Sequence, residues 1–128
     1  MNMNISAYAN LYAAWIGMLL GCVSGAAQGL FFHREKWLGG YGSWRRRMLR
    51  LGHISFFGIA FLNLAFVVTI VILGDSGLIW ASWLLIAGAI GMPLFCYLAA
   101  VREGFRHGFV LPVLCLTAAI AIVVGRLF

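Results

Sequence analysis

Four long apolar runs, at about 8–32, 51–73, 78–101 and 108–125, constrain this chain more than any other feature. Each has the roughly 20 residues that an α-helix needs to cross a bilayer core. The composition agrees, with 64% hydrophobic and only 9% charged residues, where a soluble domain has roughly a quarter charged. The predicted fold is an all-α membrane protein of four antiparallel transmembrane helices with short loops, forming a single four-helix transmembrane domain over residues 1–128. Little chain is left outside these runs, so stability must come from helices packing on one another and any large function requires partners.

Charge sets the expected orientation. The net charge is +6, but eight of the nine basic residues fall in two segments: Arg34, Lys36, Arg45, Arg46, Arg47 and Arg50 after the first run, Arg102 and Arg106 after the third. Such clustering is a topology signal rather than a nucleic-acid footprint. Both segments are expected in the cytoplasm, with both termini and Asp75 on the non-cytoplasmic side, periplasmic in a bacterial inner membrane. Arg126 stands apart, at an end where an arginine can snorkel to headgroups.

The first run has no basic stretch before it and exceeds the usual apolar core of a signal peptide, so it is read as a retained helix. Ala13, Gly17, Gly21, Gly25 and Gly29 recur there every four residues, a small-xxx-small stripe expected to form a packing seam with a neighbouring helix or a second copy. A smooth face of this kind also accommodates a flat ligand. Residues 33–50 read as a basic loop lying on the membrane surface, with Trp37, Tyr41 and Trp44 at headgroup depth. Arg45, Arg46 and Arg47 are its expected contacts to anionic lipid or to a partner.

In the second run His53 and Asn63 are expected to point into the bundle, because polar groups at lipid depth are costly elsewhere. The short Gly74-Asp75-Ser76-Gly77 turn makes the second and third helices antiparallel neighbours. Trp80 and Trp83 read as interface anchors, Pro93 as a kink, and Pro112 as a first-turn proline of the last helix. Cys22, Cys96 and Cys115 lie in apolar runs and read as small hydrophobes.

This topology brings His33, His53 and His107 to one membrane edge, although the charge argument used only arginine and lysine. Three site chemistries follow. His53 and His107 are candidate axial ligands of haem b, with Arg50, Arg102 or Arg106 on the propionates; paired histidines of this kind resemble those of small membrane cytochromes b in the idea of the site. His33, His53 and His107 are candidate zinc or copper ligands. A quinone held by His53 and nearby arginines is the third.

Other functions are disfavoured. The only carboxylates are Glu35, Asp75 and Glu103, so acid–base catalysis has little to work with, and the chain is read as leaning away from an enzyme. A mid-membrane acid for ion coupling is missing, as is a phosphate-binding loop. The leading expectation is a small accessory or scaffolding subunit, or homo-oligomer, within a larger membrane complex of the respiratory or electron-transfer kind. A stand-alone b-haem or quinone-binding redox protein is the alternative.

Overall fold

The computed structural model describes residues 5–74 and 77–128. It consists of four long helices: α1 (Ile5–Phe32), α2 (Trp44–Leu73), α3 (Ile79–Val101) and α4 (Val110–Leu127). Short 3₁₀ segments at Trp37–Gly39 and Glu103–Phe109 lie between them, and no strand occurs among the described residues. The four-helix all-α architecture is the expected one, and α1, α2, α3 and the stretch Glu103–Leu127 are each long and apolar enough to span a membrane. Residues 1–4 and Asp75–Ser76, which the orientation and turn arguments use, lie outside the described residues.

The second helix starts at Trp44, not at Leu51 where the apolar run begins. Ser43 caps it: its Oγ accepts the Arg46 amide at 3.2 Å while its own backbone is extended, the usual way to satisfy a free N–H in a first turn. The arginine cluster is therefore helical rather than looped. At about 1.5 Å per residue this 30-residue helix is roughly 45 Å long, against a hydrocarbon core of about 30 Å. That excess leaves room for the helix's first two turns, which carry the arginines, to stand at headgroup depth. Gly74, in the left-handed region at φ 62°, ends it as a C-cap glycine does.

Helix α2 packs on α1 along one face and α3 along another, and α3 touches all three other helices, with α4 packing chiefly on it. The α1–α2 seam is the glycine stripe. A methyl group at Gly17 would stand 3.2 Å from Ala60 Cβ, one at Gly21 would stand 2.6 Å from the Phe57 ring, and one at Gly25 would meet the His53 ring. Gly29 has nothing near it. The α3–α4 seam repeats the device, with Gly88 receiving Leu116 and Gly91 receiving Pro112. A core of Ala7, Phe66, Ile70, Ala81, Leu85 and Ala119 joins all four helices towards the edge remote from the arginines.

Helices α1 and α3 run parallel and are joined by two polar contacts. Fully buried Asn10 donates Nδ2 to Ser82 Oγ and to the Ser6 carbonyl, and Gln28 donates Nε2 to the Tyr97 hydroxyl oxygen at 3.3 Å. One pin lies near each end of the bundle. Asn63 is also fully buried, as expected, and donates to the Ile59 carbonyl at 2.9 Å. Pro93 is buried within α3, which continues through it. Trp80 and Trp83 are exposed, as interface anchors should be.

Candidate functional site at the basic edge

The four clustered arginines differ in what they engage. Arg46 is buried, only 3% exposed; its Nη2 donates to the Arg34 carbonyl at 2.6 Å, and its guanidinium lies 5.2 Å from the Trp37 ring centroid and 5.8 Å from that of Phe32. It clamps the connecting loop onto α2, since a planar cation stacked on aromatics and bonded to a carbonyl is held in one geometry. Arg50 stacks on Tyr41 at 4.2 Å and donates to the Tyr41 carbonyl at 3.4 Å. Arg45 and Arg47 are exposed, and neither guanidinium has a polar partner among the described residues. The start of α2 is tied to the end of α3 by Trp44, whose Nε1 donates to the Ala99 carbonyl at 2.8 Å.

The loop carries one costly residue. Leu38 sits at φ 53°, ψ 31°, a left-handed conformation that costs a residue with a Cβ about 1–2 kcal/mol. Gly39 and Gly40 follow at φ 88° and 94°, where glycine has no such penalty. The three together turn the chain from α1 back towards the Ser43 cap.

The three histidines end in different surroundings. His53 is half-buried in the α1–α2 seam, with its ring across Gly25, edge-on to Phe57 at 5.6 Å, and Nδ1 3.3 Å from Ser24 Oγ. Ser24 spends its single hydroxyl hydrogen on the Gly21 carbonyl at 3.1 Å. His33 and His107 are exposed, the latter within the 3₁₀ segment before α4 beside exposed Arg106. Among the described residues no three of His, Cys, Asp and Glu are gathered where they would hold a metal ion. Of the proposed haem contacts, Arg50 is engaged with Tyr41, and His53 is engaged with α1 rather than α4.

Sequence reasoning passed over the two polar pins. Asn10 and Gln28 lie within the first apolar run, and the rule applied to Asn63, that an intramembrane amide turns inward, would have found both. The burial of Arg46 has a fainter signal: three residues after a serine N-cap, it alone of the cluster faces the end of α1.

The fold and this edge together define a four-helix chain of membrane-spanning apolar helices with a basic, aromatic-stacked rim. Comparison with protein families, curated proteins and solved structures gives no match.

Proposed function

We propose that the chain is a small integral-membrane accessory or scaffolding subunit that packs onto a larger membrane complex. The observation that carries this reading is the outer face of α4. Pro112, Leu116, Ala119 and Val123 turn inward to α3 and the core, whereas Thr117, Ala121 and Gly125, spaced by four, are all exposed. Small residues at that spacing let helix backbones come close, which is what Gly17, Gly21 and Gly25 do inside this same bundle. A second stripe of the kind on an outward face suits a partner helix better than lipid tails.

The test is the size of the particle extracted from native membranes in mild detergent. A mass well above that of the 14.0 kDa chain and its detergent belt is expected, with Ala121→Leu and Gly125→Leu releasing the free chain without lowering its resistance to unfolding. A wild-type particle of one chain refutes the reading. The basic edge is proposed to lie in the cytoplasm of a bacterial inner membrane, following the positive-inside rule. A C-terminal topology reporter facing the cytoplasm would overturn that.

The competing reading, a stand-alone b-haem or quinone protein, is separated by a reduced-minus-oxidised absorption spectrum of the same preparation. Stoichiometric haem bands lost in His53→Ala would establish it. A flat spectrum removes the haem reading and leaves quinone binding as the only redox option.

A further inference from the structure

We propose that the front of the bundle is a binding site for one anionic phospholipid, with its phosphate at Arg45 and one acyl chain in the groove between α1 and α3. The groove has a volume of about 610 Å³ and is almost wholly apolar; Gly17 and Ala60 help to form it, and Ile86, Ile90 and Tyr97 line its α3 side. It lies between the two pins, Asn10–Ser82 at one end and Gln28–Tyr97 at the other. Ile86 to Tyr97 spans eleven helical steps, about 16 Å, close to the roughly 15 Å depth of one leaflet's hydrocarbon.

On the other side of Tyr97, which lines both, is a second pocket, of about 340 Å³, at the basic edge. That pocket is lined by Leu38, Arg45, Leu49, Tyr97 and the end of α3. On α2 the residues Arg45, Leu49, Gly52, Phe56 and Ala60 follow one stripe at steps of four and three, so the two spaces lie along a single helix face. Gly52 lets the Tyr97 ring seat on that face between the two spaces: a methyl there would stand 3.1 Å from the ring.

The polar groups are graded as a phospholipid requires. Arg45 is exposed at headgroup depth and its guanidinium has no polar partner among the described residues, so it is free to take a phosphate through paired N–H bonds. One turn or more deeper, the Tyr97 oxygen already accepts from Gln28, leaving its own O–H to donate to an ester carbonyl. Beyond Tyr97 the walls are hydrocarbon apart from the Tyr12 phenol. This is a built site for one molecule, distinct from the diffuse attraction that any exposed arginine exerts on an anionic surface.

The test is native mass spectrometry of the full chain released from vesicles holding equal phosphatidylglycerol and phosphatidylcholine of the same acyl chains. Wild type is expected to retain one phosphatidylglycerol in preference to phosphatidylcholine, Arg45→Gln to lose that preference by about tenfold, and Arg47→Gln to keep it. Ala89→Phe, which fills the groove, is expected to abolish retention of either lipid; should that variant fail to fold, the two arginine variants, both altered at exposed positions, decide alone. Equal losses in Arg45→Gln and Arg47→Gln would reduce the effect to surface charge and overturn the proposal. So would retention unaffected by Ala89→Phe, or cross-linking of Ala89→Cys in native membranes to a helix of another protein.

Discussion

The glycine stripe of α1 makes the sharpest test of the fold, because its members are chemically identical and differ only in what they face. At Gly17 a first methyl would stand 3.2 Å from Ala60 Cβ and 3.3 Å from the Phe56 carbonyl oxygen. Neither atom can rotate away, since both are fixed to the α2 backbone, so a larger side chain must push the helices apart. For Gly17→Leu, overpacking of about 3 kcal/mol set against about 1 kcal/mol gained on removing a helical glycine leaves a net loss of about 2 kcal/mol. Gly29 has nothing within 4 Å, so Gly29→Leu keeps only the gain of about 1 kcal/mol. Unfolding by sodium dodecyl sulfate in mixed micelles, followed by tryptophan fluorescence, should separate the two variants by about 3 kcal/mol, with wild type between them. If both variants unfold together, on either side of wild type, the α1–α2 contact is not the seam described.

Three further outcomes use the same assay. A double-mutant cycle on Asn10→Ala and Ser82→Ala should return a coupling of about 0.6 kcal/mol, and no more than about 1.7, the range for hydrogen bonds between membrane helices; additive effects would remove this pin. Arg46→Lys should cost about 2 kcal/mol, because an ammonium cannot stack and bond as the guanidinium does, and should speed tryptic cleavage at Lys36, whereas Arg47→Lys should change neither. Asn63→Leu should be neutral or stabilising by about 1 kcal/mol, since Asn63 Oδ1 is buried without a partner among the described residues and an apolar isostere removes an unsatisfied group; a loss above about 2 kcal/mol would show that Oδ1 is paired with water.

Hydropathy made the four helices legible, because it reports which residues sit in lipid. It does not report where a helix ends, and so the start of α2 at Trp44 was hidden among arginines that are good helix formers behind a serine cap. The glycine stripe was legible as a seam, but not its extent. Residues four apart turn by about 40° per step on a helix of 3.6 residues per turn. Three steps from Gly17 therefore carry Gly29 about 120° round, off the face that meets α2. The histidines show a further limit: their common edge could be read from topology, whereas their lateral positions could not. His53 lies against Gly25 while His107 stands on the α3–α4 connection, because neighbouring helices are chosen by packing, which pairs residues far apart in the chain. The groove was illegible for the same reason, being a space between two helices that never follow one another.

The two polar pins explain why that space exists. In lipid, apolar side chains gain little by meeting each other rather than acyl chains, so small-residue contacts and hydrogen bonds set which faces meet. Helix α1 lies on α2 through Gly17, Gly21 and Gly25; α3 lies on another face of α2, with Tyr97 over Gly52. Parallel helices resting on adjacent faces of a third approach each other only where something draws them together. Here that is Asn10 with Ser82 near one edge and Gln28 with Tyr97 near the other. Fifteen residues of α3 separate Ser82 from Tyr97, about 22 Å of helix, and much of that length borders the open groove. A bundle stabilised by burial alone would have closed the gap with leucines. Alanine and glycine at positions 9, 13, 17, 60 and 89 keep it open, and Tyr97 stands between it and the pocket that Arg45 lines at the basic edge.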